Sequence, residues 1–278
     1  MSVLVFTVIV LIGSYFAGFL GSLTGLGGGV VIIPLLTLVL NVDIHYAIGA
    51  SLVSVIATSS GSAAAYVKEG ITNMRLGMFL EIATTAGAMC GAILALHIPT
   101  QYIAVLFGII LIFSAIISLK RKAEHITLQK SFLAEKLKLN SSYPTANGTV
   151  EYSVTRVGGG FVMMLFAGII SGLLGIGSGA LKVIAMDTIM RIPFKVSTTT
   201  SNFMIGVTAS ASAVVYLQRG YISPGLSMPV VIGVLLGALT GSRILVNTPS
   251  SRWLRWVFAV VVTFLAGQMI YHGVTGKI

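Results

Sequence analysis

Long apolar segments recur along the whole chain in two sets of five. The first set lies at about 3–23, 30–41, 46–66, 77–97 and 101–119, and the second at about 157–174, 180–190, 196–217, 225–246 and 253–272. Most of these segments have 18 or more residues, which matches a hydrocarbon core of roughly 30 Å. They lack the short alternating pattern of an outer-membrane barrel. We therefore predict an all-α polytopic membrane protein.

The two halves of the chain align without a gap at an offset of 150 residues. The aligned identities include Phe16-Ala17-Gly18 with Phe166-Ala167-Gly168, Gly25, Gly27 and Gly29 with Gly175, Gly177 and Gly179, Ser51 with Ser201, and Gly87-Ala88 with Gly237-Ala238. Duplicated units of this kind are typical of transporters. The expected organisation is a first transmembrane repeat at 1–119, a basic linker at 120–156 and a second repeat at 157–278.

Only 9% of the residues are charged, yet the net charge is +10. The basic residues are spread over the loops between apolar segments and form no patch with interleaved aromatics, so we expect no nucleic-acid partner. The positive-inside rule instead places the linker and most basic loops in the cytoplasm. Each half then crosses the membrane an odd number of times, so the repeats are predicted to be inverted. The predicted location is the inner (plasma) membrane, with multiple passes.

The linker differs from the rest of the chain in its polarity. Its segment KRKAEHITLQKSFLAEKLKL contains six basic residues, and NSSYPTANGT is rich in turn formers. We expect a solvated linker. The alternative is a short helix on the membrane surface with Leu128, Phe132 and Leu137 on its apolar face.

Glycine-rich loops interrupt the membrane segments at corresponding places, GSLTGLGGGVVIIP at 21–34 and SGLLGIGSGALKVI at 171–184. Each loop precedes a segment of only 11 or 12 residues, which either spans the membrane or forms a re-entrant hairpin. A broken helix at membrane depth must line a cavity or be buried in protein. Its N-terminus offers free N–H donors, so paired N-termini would bind an anion. The candidate residues are Gly27, Gly28, Gly29, Gly177, Ser178 and Gly179; the alternative is close helix packing.

Lys182 is the most informative charged residue because it lies one turn into the second short segment. An ammonium inside a span is costly, so we expect it to neutralise a bound anion. The alternative is a salt bridge to Asp187. Asp187 itself is spaced to pair with Arg191 near the inner interface. Glu81 is also expected at the interface, with a proton-relay role as the alternative.

Hydroxyl side chains are frequent in the span that follows each glycine loop, in GASLVSVIATSSGS and TTTSNFMIGVTASAS. Most are expected to bond to the carbonyl four residues earlier or to a neighbouring helix. Ser51, Ser201 and Asn202 are the candidates for anion binding, since hydroxyls and amides donate without the desolvation cost of a charge.

These motifs resemble the sulfite exporter TauE/SafE family. The resemblance rests on the paired loops GLGGGVVIIPLL and GIGSGALKV, each followed by a span rich in small and hydroxyl residues, and it covers nearly the whole chain except the linker. It implies transport of sulfur-containing anions such as sulfite, sulfoacetate, other sulfonates or thiosulfate. The second loop departs from the first at Ser178 and at Ile184, which stands where the first half has Pro34.

The expected function is transport of a small sulfur-containing anion, without cofactor, metal or catalytic residues. Export is the expected direction, because a cell interior negative by 100 mV favours exit of a monovalent anion by roughly 2.3 kcal/mol. Absence of a buried carboxylate would make that export uncoupled or weakly coupled. The alternatives are a passive anion channel and a proton-coupled importer of thiosulfate or other small anions. The expected partners are the anion and the lipid bilayer, and two copies could form a homodimer.

Overall fold

The computed structural model describes residues 3–24, 28–68, 70–119, 131–145, 148–247 and 252–276. In the first half, α1 (Val3–Thr24) precedes a short helix α2 (Gly29–Pro34) that continues as a π-helical turn (Leu35–Val39). Three longer helices follow, α3 (Ile44–Lys68), α4 (Met74–Ala95) and α5 (Thr100–Leu119). Within the described residues, the boundaries of these helices agree closely with the apolar segments of the sequence.

The second half has the same elements in the same order. They are α7 (Val157–Leu174), α8 (Gly179–Ile184) with its π-helical turn (Ala185–Ile189), α9 (Phe194–Gln218), α10 (Pro224–Asn247) and α11 (Arg252–Val274). The π turn forms after Pro34 in one half and after Ile184 in the other. The proline is therefore not its cause, and the substitution at 184 leaves the local fold unchanged.

The repeat extends to single backbone angles. Asn41 and Arg191, which are equivalent positions, both adopt left-handed backbone after the π turns, with φ of 51° and 56°. The Val42 amide donates to the Leu36 carbonyl, and the equivalent Ile192 amide donates to Met186, both at 3.0 Å. Both halves of the chain therefore fold as the same unit.

The two repeats are interleaved in space. Helix α1 packs along α10 of the other half, and α7 packs along α4, while α3 crosses α9 and α5 pairs with α11. Glycines make these contacts close: a Cβ on Gly237 would meet the Tyr15 carbonyl oxygen, and one on Gly87 would meet the equivalent Leu165 carbonyl. Close backbone approach at small residues is the usual way in which membrane helices associate. Gly87 and Gly91 therefore serve helix packing, since Gly91 fits against Ile169 in the same way.

The expectation of a solvated linker is wrong for its C-terminal part. After a short helix α6 (Phe132–Lys136), strands β1 (Ser141–Thr145) and β2 (Gly148–Tyr152) form an antiparallel hairpin. Tyr143 and Tyr152 are both about 2% exposed and pack in one cluster with Leu76 of α4. Phe132 of α6 and Leu137, which follows its last residue, are exposed, as a surface helix requires, whereas Leu128 lies outside the described residues.

Asn73 joins this hairpin to the helices. Its side-chain oxygen accepts from the Leu76 amide and caps α4, and its Nδ2 donates to the Leu139 carbonyl and to the Tyr152 hydroxyl, each at 2.9 Å. Its backbone N–H donates to Thr200 of α9. Burial raises the pKa of Tyr152 to about 12, so its hydroxyl stays neutral at physiological pH. The hairpin is thus a packed part of the fold.

Six of the described helices are long and apolar enough to cross a membrane: α1, α3, α4, α7, α9 and α10. Shorter apolar helical segments occur at Gly29–Val39, Thr100–Ile116 and Ala259–Val274. Many large side chains on the long helices are exposed, such as Phe16, Ile82 and Phe166. The fold is that of an all-α polytopic membrane protein, as predicted, to which the linker adds one small hairpin.

Candidate functional site

The two glycine loops meet where α3 crosses α9. Gly29 lies against Ser51 and Val55 of α3 and close to the Gly175 carbonyl, which a Cβ on Gly29 would approach to 3.4 Å. Gly177 lies against Val55 from the other side and against Ile205 of α9. Val55 therefore contacts both loops. Among the predicted glycines, Gly27 lies outside the described residues.

Contacts within the protein already account for part of the glycine content. A Cβ on Gly29 would lie 2.5 Å from Ser51 Oγ and one on Gly179 would lie 2.7 Å from Ile205 Cδ1, so either neighbour would have to shift. Gly175 and Gly177 have φ of 67° and 70°, a conformation that side chains disfavour. Gly28 also packs closely, near Val234. Close packing, which the sequence offered as the alternative to ligand binding, thus explains these positions without a ligand.

Free donors nevertheless remain at both short helices. The first intrahelical bond of α2 is donated by the Val31 amide to the Gly28 carbonyl. The preceding amides of Gly29 and Val30 have no acceptor within their own helix. In α8 the first such bond is donated by Lys182 to Ser178, which leaves the amides of 179–181 without a helical acceptor. Gly29, Val30 and residues 179–181 are all buried, so an anion that reached these amides would meet backbone donors.

The predicted hydroxyl residues hold the loops in place. Ser51 donates to the Gly175 carbonyl of the opposite half at 2.9 Å, and Ser201 donates to the Gly179 carbonyl at 3.2 Å. Ser178 has left-handed backbone and donates to the Ala167 carbonyl of α7 at 2.6 Å. All three are buried, and each hydroxyl proton is already in use. These serines act as positioning residues for the backbone donors.

Asn202 takes part in the hydrogen bonds of the site through its backbone, whereas the three serines donate from their side chains. Its backbone carbonyl accepts a hydrogen bond from Ser59 of α3 at 2.5 Å, and its side chain is half-buried. Other hydroxyls of the two spans bond within their own helix, as expected for most of them. Those bonds join Thr58 to Ser54, Ser210 to Gly206 and Ser212 to Thr208.

Lys182 is fully buried, and its partner is not Asp187 but a pair of side chains on two other helices. Its ammonium donates to the Thr208 hydroxyl of α9 at 2.5 Å, and that hydroxyl donates to Glu81 Oε1 of α4 at 2.6 Å. The ammonium and the carboxylate interact electrostatically across the hydroxyl. Three helices thus meet at one buried pair of opposite charges.

Glu81, which the sequence predicts at the interface, is buried by the neighbouring helices. Glu81 is only 7% exposed, because α4 begins at Met74 and the residue lies two turns inside it, between α7 and α9. Asp187 is also buried, within the π turn, rather than at the surface. Sequence spacing along one helix could not show the contact to Lys182. A usable signal was present, since Glu81 and Lys182 align with the apolar Val231 and Ile32 of the other repeat.

Broken helices that meet inside a bundle of membrane-spanning helices, with a buried charge beside them, define a membrane transporter. The sequence model of the sulfite exporter TauE/SafE family matches residues 10–269, and the chain belongs to that family.

Curated relatives share nearly the full length of the chain. A probable membrane transporter protein YunE of Bacillus subtilis (strain 168) is 30% identical over 97% of this chain and 98% of its own. YdhB of the same organism, also a probable membrane transporter protein, is 26% identical over 84% of this chain and 89% of its own. A probable membrane transporter protein of Xylella fastidiosa (strain 9a5c) is 25% identical over 96% of both chains. No solved structure matches this chain significantly.

Proposed function

We propose that the chain transports small sulfur-containing anions, namely sulfite, sulfonates or sulfoacetate, and that it exports them from the cell. The observation that carries the proposal is the meeting of the two loops at Val55, which brings two sets of buried backbone donors to one place. Backbone N–H groups suit the oxygens of a sulfonate or sulfite, because they donate without carrying charge into the membrane. The description of the family as sulfite exporters supports the substrate class and the direction.

Lys182 supplies the charge in this proposal, from one turn inside α8. Thr208, its partner, lies one turn beyond Ile205, which contacts Gly177 and Gly179. A rise of 1.5 Å per residue puts Thr208 about 4.5 Å along α9 from Ile205. The ammonium therefore lies on the helices that hold the second loop. Its attraction extends to an anion at the loop amides, since burial weakens screening.

The test uses purified protein and a panel of anions. Sulfite, sulfoacetate, taurine, thiosulfate and carboxylate analogues are added, and the midpoint of thermal unfolding is measured. A ligand that binds only the folded state raises this midpoint. We expect sulfite or a sulfonate to raise it more than the carboxylate analogues. Equal shifts for all anions, or none, would contradict the substrate class.

Flux in proteoliposomes distinguishes a transporter from a passive anion channel. Uptake of labelled sulfoacetate should saturate and should be blocked by the unlabelled anion in excess. Lys182→Met should weaken binding more than tenfold, and Lys182→Arg should retain part of the affinity. The matched control is Lys136→Met, which removes an exposed lysine of α6. Currents without saturation would favour the channel.

A further inference from the structure

One carboxylate oxygen of Glu81, in the buried charge pair, has no hydrogen-bond partner among the described residues. Glu81 Oε1 accepts from Thr208 at 2.6 Å and from Thr85 at 3.2 Å. Glu81 Oε2 is buried and has no hydrogen-bond partner in the described parts of the chain. A buried carboxylate oxygen without a donor is costly, and native proteins rarely keep one without a function.

The charges around Glu81 balance only while no anion is bound. Lys182 is the charged group that faces it, from α8. Helix α7, packed along α4, contains no charged residue, and the lysine of α9, Lys195, is exposed at the start of that helix. The surroundings of Glu81 therefore hold one positive and one negative charge, and Asp187, buried in the π turn after α8, is not among the groups that act electrostatically on Glu81 or Lys182. An anion that binds near Lys182 adds a second negative charge, and two buried anions would then share one ammonium.

Uptake of a proton by Glu81 would compensate for the second negative charge that a bound anion adds. Like charges in one buried site disfavour joint ionisation, so a carboxylate beside a new anion gains affinity for a proton. A metal cation fits poorly, because the Lys182 ammonium repels it and no group of three or more His, Cys, Asp or Glu side chains lies together in the described residues. We propose that Glu81 takes up one proton for each monovalent anion that binds beside Lys182, so that the anion and the proton are carried together. This inference rests on the proposed function.

The repeat shows that the fold itself does not require the charge pair. The first half keeps Thr58 where the second has Thr208, but it has Ile32 and Val231 where the second site has Lys182 and Glu81. The same helix packing is therefore built with apolar residues at the equivalent place. The charges occur at only one of the two equivalent places, as expected of a coupling site and not of a structural one. Joint carriage is electroneutral for a monovalent anion, so export would follow the combined concentration gradients of the anion and the proton and not, as expected from the sequence, the membrane potential.

The first test measures proton movement directly. Proteoliposomes contain a pH-sensitive dye, and equal potassium with valinomycin holds the membrane potential at zero. An inward gradient of isethionate, a sulfonate that does not titrate near neutral pH, should acidify the lumen in the wild type. Labelled isethionate in the same vesicles gives the ratio of protons to anions, expected to be one. Glu81→Gln should abolish the acidification, and Glu135→Gln, an exposed glutamate of α6, should preserve it.

The second test measures binding against pH and separates Glu81 from Lys182. The Kd for isethionate should rise about tenfold per pH unit in the wild type above the titration of Glu81, since one proton is linked to each anion. In Glu81→Gln the Kd should be independent of pH over the same range. A pH dependence that persists in the glutamine variant would assign the titration to Lys182 and overturn the proposal.

The outcomes also separate this inference from the function on which it rests. Isethionate flux without acidification, driven by an imposed membrane potential, would overturn proton coupling and leave anion transport standing. Absence of flux for every sulfur-containing anion would overturn both. The thermal unfolding midpoint of Glu81→Gln, compared with that of the wild type, checks that loss of coupling does not come from unfolding.

Discussion

At the scale of single residues, the buried Glu81–Thr208–Lys182 chain is a costly feature of the described structure. Taking two charges out of water is expensive, and mutual attraction recovers that cost only with good geometry. Removal of one partner leaves the other charge buried without compensation. Replacement of both by apolar residues is often neutral. The first half already packs Ile32 and Val231 at the equivalent positions, of which Ile32 is fully buried.

This asymmetry predicts a specific order of stabilities. Lys182→Ile alone should destabilise the protein by about 3–5 kcal/mol. The double variant Glu81→Val/Lys182→Ile should regain most of that loss, because no charge stays unpaired. Thermal unfolding in detergent measures both variants. A double variant less stable than Lys182→Ile would show that the pair stabilises the fold.

Residue patterns singled out part of the candidate site and missed the contacts of the rest for a physical reason. Lys182 and the serines at 51 and 201 were visible because a charge in a span and hydroxyls at matched positions are local signals. The partner of Lys182 was not, because α4 and α8 are brought together only by the packing of α7 and α9 around them. Likewise, sequence could not show that Ser178 donates to Ala167, since left-handed backbone at a serine has no clear local signal.

At the scale of elements, glycines set the distance between paired helices. A Cβ on Gly237 of α10 would overlap the backbone of Tyr15 and Phe19 in α1. Backbone cannot swing away as a long side chain can, so the helices must move apart and lose contacts along their length.

Gly237→Ala should therefore lower the unfolding midpoint by several degrees, equivalent to about 1–3 kcal/mol. The matched control is Gly267→Ala in α11, where a Cβ would meet no atom within 4 Å. Alanine favours helix over glycine, so the control should keep or raise the midpoint. Equal losses in both variants would contradict the packing role of Gly237.

The linker hairpin gives a second prediction at this scale. Asn73→Ala removes the cap of α4 together with the bonds to Leu139 and Tyr152. A helix cap alone contributes about 0.5–2 kcal/mol. Tyr152→Phe removes only the hydroxyl bond, which contributes about 1 kcal/mol. Asn73→Ala should thus destabilise the protein more than Tyr152→Phe, as measured by unfolding midpoints. Equal effects would show that the cap and the Leu139 bond contribute little.

At the scale of the whole molecule, apolar segments and the internal repeat predicted most of the fold. Helix boundaries and the broken helices follow from the sequence, because segment length and glycine clusters are local properties. The interleaving of the halves could not be predicted, since glycine spacing shows that a face is narrow but not which helix covers it. The hairpin was missed because the linker is polar, and its two tyrosines are buried only by contact with distant helices.

The inverted relation of the repeats remains a prediction, and equivalent positions test it. Single cysteines replace Arg75 and Gly225 in a Cys90→Ser background; both positions are exposed, at the start of α4 and of α10. A membrane-impermeant thiol reagent should reach Arg75→Cys only from the cytoplasm and Gly225→Cys only from outside. Labelling of both from the same side would show parallel repeats. If the linker is cytoplasmic, a cysteine in place of Glu151 should be labelled from the same side of the membrane as Arg75→Cys.

The pairing of α1 with α10 also has a consequence for how the protein is made. Helix α1 ends at residue 24 and α10 begins at residue 224, so one partner enters the membrane long before the other exists. At roughly 5–20 residues per second, ribosomal synthesis imposes a delay of about 10–40 s. During that time, the face of α1 around Tyr15 and Phe19, which Gly237 finally covers, has no α10 to pack against. We therefore expect the first repeat to reach its final packing only after α10 has been inserted.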